Sequence, residues 1–157
     1  KSFLKTIPIH DGDTLAFMLG EIDLRVSCGR NANLKKISAG HNLDRILNKY
    51  YTVLKDIKEL YPNCNIILMF PNPPIRDGVL EPDSYLGIWG NENDRMSLYK
   101  QFTSFFYNES ILGNINYMNC MDLYQDEDGF MKTDLLNYKD SHVKNGDLFI
   151  ESLSNKL

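Results

Sequence analysis

LAFMLGEIDLR, at residues 15–25, begins with an unbroken apolar run and continues through Gly20 into charged residues. Two similar apolar runs follow, at residues 66–70 and 115–120. Short runs that are apolar at nearly every position are typical of parallel strands covered on both faces. We therefore predict strands at residues 15–19, 66–70 and 115–120.

Helical patterns lie between and after these runs. A helix from about residue 42 to residue 60 is predicted by apolar residues at spacings of three and four, and Pro62 ends it. Further helices are predicted from near residue 93 to 112 and from near Asn145 onward. Alternation of strands and helices predicts an α/β domain with a parallel sheet. We expect the long helix to pack on that sheet through Leu43, Leu47, Leu54 and Ile57.

The composition excludes several classes of protein. The chain has 157 residues, of which 43% are hydrophobic and 24% charged, which fits one globular domain. The formal net charge of -4, with no basic cluster, argues against a nucleic-acid binder. No apolar run is long enough to cross a bilayer, so we expect no membrane span. No motif indicates a metal or any other cofactor.

Three widely spaced cysteines, Cys28, Cys64 and Cys120, form no CxxC pair. They indicate neither a zinc site nor a disulfide framework, and they favour a reducing compartment such as the cytoplasm. Cys28 could act as a thiol nucleophile with His142 as its base. The alternative for Cys28 is a small buried side chain without a chemical role.

Parallel sheets bind ligands beyond the carboxyl ends of their strands, and several polar segments fall there. Asp140-Ser141-His142 offers a general base with a carboxylate that could orient it, or else a helix-capping turn with a surface histidine. Gly20 could present its backbone N–H as an oxyanion donor. We expect the nearby Glu21, Asp23 and Arg25 to lie in a loop, where they could serve the site or form a structural Arg–carboxylate pair, because burial without pairing is costly.

Two further residues are candidates for substrate binding. Asn72 lies in the loop after the second predicted strand, and Trp89 lies between Gly87 and Gly90. Trp89 could stack on a sugar ring or anchor a loop over the core. The acidic turn at residues 126–129 departs from the calcium-loop pattern, so we expect a solvated turn and no metal.

Two segments resemble a known family. Residues 13–25 resemble the GEID variant of the third conserved block of SGNH/GDSL hydrolases, whose common form is G-x-N-D. Asp140-Ser141-His142, followed by a short helix, resembles the final block, which supplies the catalytic Asp and His. The resemblance implies an α/β/α fold in three layers with flavodoxin-like strand order. It also implies a Ser-His-Asp mechanism with His142 as base and Asp140 as its partner.

The chain also departs from that family. It contains no GDS block, Ile22 replaces the oxyanion Asn, and Asp140 stands two residues before the histidine, where the commonest spacing is three. The segment from Lys1 is predicted to be the end of a helix leading into the first strand. We expect a single SGNH-like domain over residues 1–157, with its N-terminal strand and nucleophilic Ser upstream.

This resemblance implies an esterase or acyltransferase acting on an O-acyl group, often acetyl on a carbohydrate. The expected partner is an acylated small molecule or a glycan. The rival hypothesis is a catalytically inactive SGNH-like module for binding or structure. The missing Ser and Ile22 favour the rival, whereas Asp140, His142 and the charged segment at Gly20 favour the enzyme.

Overall fold

The computed structural model describes residues 6–80, 87–113, 115–137 and 142–156. Three strands and four α-helices form its framework. In chain order they are β1 (Thr14–Met18), α1 (Cys28–Lys35), α2 (Ala39–Leu60), β2 (Asn65–Met69), α3 (Glu92–Leu112), β3 (Asn116–Met118) and α4 (Asp147–Ser154). A π-helical turn, Asp23–Ser27, leads directly into α1, and 3-10 turns occur at Asp122–Tyr124 and Thr133–Leu135.

The strands form one parallel sheet in the order β1-β2-β3. Leu15 of β1 is opposite Ile66 of β2, and Met69 of β2 is opposite Met118 of β3. All three predicted strands are present and parallel, although β3 is shorter than the apolar run that predicted it. The α/β fold class is therefore confirmed.

Helices cover both faces of the sheet. On one face α2 packs over β2 and α3 packs over β3. The residues of α2 predicted to face the sheet are all buried there: Leu43, Leu47, Leu54 and Ile57. On the other face, Phe149 and Leu153 of α4 pack against Ile67, Met69 and Cys120. The sheet is thus the middle layer of three.

β1 differs from the prediction of a strand covered on both faces. Its alternate residues Thr14, Ala16 and Met18 are exposed, and the side chain of Met18 keeps 40% of its surface in solvent. Among the described residues β1 pairs with β2 alone, and α4 packs against side chains of β2 and not of β1. Within the described part of the chain, β1 is therefore an edge strand with one open face.

The segment before β1 is described from Thr6 onward. Thr6 has 3-10 helical conformation and a bend and a turn follow in residues 7–13, while residues 1–5, where the rest of the predicted helix end falls, lie outside the described part of the chain. Asp13 closes the turn: its carboxylate accepts a hydrogen bond from the His10 N–H at 2.7 Å, and its own N–H donates to the His10 carbonyl at 3.1 Å. Asp13 also accepts from the N–H of Asn65 at 2.8 Å, which fixes the start of β1 beside β2.

The charged residues after Gly20, predicted as a loop, are helical from Glu21 through the π-helical turn into α1. Leu24, Cys28 and Ala32 recur at intervals of four residues and are buried on the inner face of this helix. That spacing is visible in the sequence, but the acidic and basic residues between them obscured it. Within the described residues, no helix is long and apolar enough to cross a membrane.

Candidate active site

An open cleft of about 490 Å³ lies at the carboxyl ends of β1 and β2. Gly20 and Asp23 line it from the segment after β1, Asn72 from the loop after β2, and His142 from the segment before α4. The structure thus brings together residues that are far apart in sequence, at the edge where parallel sheets bind ligands. Met18, Ile22 and Phe149 add apolar surface to the same cleft.

Gly20 makes the turn that carries the chain from β1 into the following helix. Its φ of +94° lies in the left-handed region that side chains disfavour. A Cβ at this position would also lie 2.6 Å from Cε2 of Phe102. Its carbonyl accepts the N–H of Leu24 at 2.9 Å, the first hydrogen bond of the helix. Glycine is therefore required here both by backbone conformation and by close packing.

Glu21 and Arg25 form the structural pair that the sequence left open. Arg25 donates from Nε to Oε1 of Glu21 at 2.6 Å and from Nη1 to the carbonyl of Gly87 at 2.9 Å. The carbonyl of Arg25 accepts the N–H of Trp89 at 2.8 Å. Arg25 is buried and does not line the cleft with His142. The pair fastens the segment around residues 87–89 to the helix that follows Gly20.

Asp23 has a hydrogen-bond partner on α2. The hydroxyl of Tyr50 donates a short hydrogen bond to Oδ2 of Asp23, and both residues line the cleft. Burial, reinforced by this bond, raises the pKa of Tyr50 above its usual value. Tyr50 therefore remains a neutral donor at physiological pH, and Asp23 has a fixed partner within the fold.

His142 is exposed at the rim of the cleft and is positioned by backbone pairing. Val143 forms an antiparallel bridge with Leu136, and the carbonyl of His142 accepts the N–H of Asn137 at 2.7 Å. The cap of α4 is Gly146, so His142 does not stand in a helix-capping turn. Asp140 and Ser141 lie outside the described residues, and the contact between Asp140 and His142 stays a prediction.

Cys28 does not fit the alternative of a thiol nucleophile. It has no exposed surface and does not line the cleft. Burial, with a smaller effect from the charge of Asp23, raises the pKa of its thiol to about 12. Reactive cysteines need thiolate character and access, and Cys28 has neither. Cys64 and Cys120 are likewise buried free thiols.

Trp89 lies away from the cleft. Its indole packs on Gly29 of α1 so closely that a Cβ there would meet its Cδ2 at 1.7 Å. It lines a separate shallow groove with Arg30 and Leu34. Trp89 thus anchors a loop against α1 and does not lie beside His142, and its stacking on a sugar ring stays a prediction.

The acidic turn is held by an arginine. Arg76 donates to Asp126 at 3.0 Å and to Asp128 at 2.6 Å, and its guanidinium lies over the ring of Phe130. The turn is thus solvated as predicted, with Glu127 and Asp128 exposed, and it is also held by ion pairs to Arg76. Among the residues that the structure describes, no group of three or more His, Cys, Asp or Glu side chains could hold a metal ion.

Asn72 is the candidate residue whose surroundings most favour binding of a ligand. It is half-buried, lines the cleft, and also lines a smaller pocket that adjoins the cleft. Its side-chain amide makes no hydrogen bond in the described part of the chain, whereas Glu21, Asp23 and Arg25 all have partners. The Asn72 amide therefore retains its donor capacity for a ligand.

Comparison with solved structures supports the fold. No family model matches the chain, and no curated protein matches it. A solved structure from Streptococcus pneumonia, which carries the provisional description of a platelet activating factor, is similar with a TM-score of 0.64 and 14% sequence identity. The similarity covers 92% of this chain and 59% of that chain. At this identity the likeness shows a shared α/β fold and no more.

Proposed function

We propose that this chain forms the larger part of an SGNH-type domain that hydrolyses or transfers an O-acyl group, with a carbohydrate acetyl ester as the substrate class. His142 acts as the general base, oriented by Asp140, and the Gly20 N–H is an oxyanion donor. The observation that carries this proposal is the single cleft shared by His142 and Gly20 at the carboxyl edge of the sheet. No cofactor takes part in the proposed reaction.

The nucleophilic Ser comes, in this proposal, from sequence outside this chain. The open edge and open face of β1 support that arrangement, because they leave room for a further strand beside the cleft. An unpaired strand edge presents backbone N–H and C=O groups that another strand can bind. This chain also spans only 59% of the structure with the similar fold.

The test is hydrolysis of p-nitrophenyl acetate by the protein with its Ser-bearing segment. His142→Ala should lower the rate by about 10³-fold or more, because a serine hydroxyl without its base is a weak nucleophile. His41→Ala is the matched control, since His41 is an exposed histidine at the start of α2 and does not line the cleft. The chain alone should be inactive or nearly so.

A non-catalytic module is the second candidate. Ile22 supports it, because this residue is 61% exposed in the cleft, at the position where the family has an oxyanion Asn. An exposed isoleucine offers a binding surface and no hydrogen-bond donor. A folded protein with its Ser segment that turns over no ester, yet binds a glycan unaffected by His142→Ala, would establish this candidate instead.

A further inference from the structure

A small pocket lies beside the cleft, between the helix that follows Gly20, the loop after β2, and residues 88–95. Its volume is about 30 Å³, room for about two water molecules. Glu21 and Asn72 line both spaces, so they stand at the boundary between cleft and pocket.

The walls of this pocket are suited to an apolar group. Leu24, Pro74, Ile75 and Ile88 contribute hydrocarbon surface. Two arginines also line the pocket, but the groups that they could offer already have partners. Arg25 bonds Glu21 and the Gly87 carbonyl, and Arg95 bonds the carbonyls of Ile75 and Gly90 and the carboxylate of Asp77. An anionic ligand would have to compete with these carboxylates.

A polar group without a partner in the described residues lies instead at the boundary between the pocket and the cleft. The amide of Asn72 makes no hydrogen bond within the described residues and reaches both spaces. A ligand with a short apolar end in the pocket would place its next polar atom beside this amide. Carboxylic esters have that shape: a short acyl chain, then a carbonyl oxygen, then the alkoxy part that would occupy the wider cleft.

We propose that this pocket is the acyl subsite, that it admits an acetyl group and excludes longer chains, and that Asn72 donates to the acyl carbonyl oxygen. This inference rests on the proposed function. It assigns to Asn72 the donor role that Ile22 cannot fill.

The role of Asn72 follows from the reaction. The attacking serine oxygen bonds to the carbonyl carbon while its proton passes to His142, and the C=O π pair moves onto the carbonyl oxygen. The Asn72 N–H stabilises that oxyanion. When the C=O bond re-forms, the bond to the leaving oxygen breaks, and His142 returns the proton to it. Water then repeats the sequence on the acyl-enzyme and releases the acid and the serine.

The first test compares p-nitrophenyl acetate with the butyrate ester, using the protein with its Ser-bearing segment. The wild-type kcat/KM for butyrate should be lower by about 10-fold or more, because extra methylenes do not fit a pocket of this size. Ile88→Ala should raise the butyrate-to-acetate ratio by about 10-fold. Ile88→Phe should fill the pocket and lower acetate hydrolysis by about 10-fold. Val53→Ala, at an exposed position of α2, should leave the ratio unchanged.

The second test addresses the donor. Asn72→Ala should lower kcat for the acetate ester by about 10²-fold with little change in KM, as expected for an interaction made in the transition state. Asn48→Ala, at an exposed asparagine of α2, is the control.

The outcomes separate the two proposals. Turnover that depends on His142 but is equal for both esters, or that keeps its ester ratio in both Ile88 variants, overturns the acyl subsite alone. Full activity of Asn72→Ala overturns the donor role. Absence of any His142-dependent turnover overturns the proposed function and the subsite with it.

Discussion

Replacement of Glu21 by Gln tests whether the charged segment after Gly20 is structural. The change keeps the shape of the side chain but removes its charge, and it leaves Arg25 without its carboxylate. The Arg25 side chain is 9% exposed and that of Glu21 is 19% exposed. Breaking a buried ion pair costs about 3–5 kcal/mol, because the remaining charge is stranded in a poorly solvated place.

Partial exposure of Glu21 reduces this cost, since water can reach the guanidinium from that side. We therefore expect Glu21→Gln to lower the free energy of unfolding by about 2–4 kcal/mol. With a urea m-value of about 2 kcal/mol per molar, the unfolding midpoint should fall by about 1–2 M. Fluorescence of Trp89, the single tryptophan, is a suitable probe because its backbone N–H binds the Arg25 carbonyl.

The double variant Glu21→Leu with Arg25→Met is the control. It removes both charges together, so its stability should return to within about 1 kcal/mol of the wild type. An unchanged midpoint in Glu21→Gln would refute the structural assignment. So would a double variant that is as unstable as the single one, because the loss would then come from packing rather than from a stranded charge.

Three further predictions concern the core and the cleft. Leu54→Ala should cost about 2–5 kcal/mol in urea unfolding, because Leu54 has no exposed surface; Val53→Ala, at the 46% exposed neighbour, should cost at most about 0.5 kcal/mol. Gly20→Ala should lower the free energy of unfolding by about 2 kcal/mol or more, because it combines left-handed backbone strain with a clash against Phe102. A melting temperature within about 1 °C of the wild-type value would contradict this. The folded thiol of Cys28 keeps its proton to a pKa of about 12, whereas the unfolded thiol ionises near 9.0, so stability should be constant below that lower value and fall above it. Urea midpoints measured across alkaline pH should decline less steeply in Cys28→Ala.

Much of the framework could be predicted because its local patterns agree with its tertiary contacts. The stripe containing Leu47 and Leu54 requires one buried helix face, and both residues are fully buried. The apolar run of β2 likewise became the central and covered strand of the sheet. β1 has the same kind of apolar run but an open face. Sequence composition alone does not distinguish an edge strand from a covered one, because the neighbouring elements decide its burial.

The location of the candidate site could be predicted from the sequence, but the hydrogen-bond partners of its charged residues could not. The rule that ligands bind at the carboxyl ends of parallel strands anticipated that Gly20 and His142 would converge. The partners of the charged residues come from distant segments: Gly87 for Arg25 and Tyr50 for Asp23. No spacing in the sequence relates these pairs, so these partners could not be predicted.

The polar groups around the cleft fall into two sets that should respond differently to mutation. Arg25 is buried, and both it and Asp23 are bound within the fold, so their loss should appear first as instability. Asn72 and His142 are half-buried and exposed, so truncating them should change stability little. If the protein is an enzyme, Asn72 and His142 should nevertheless control turnover. If the protein is a purely structural module, neither set should affect catalysis. Stability and catalytic activity measured on variants of the same four residues therefore separate the two proposed functions.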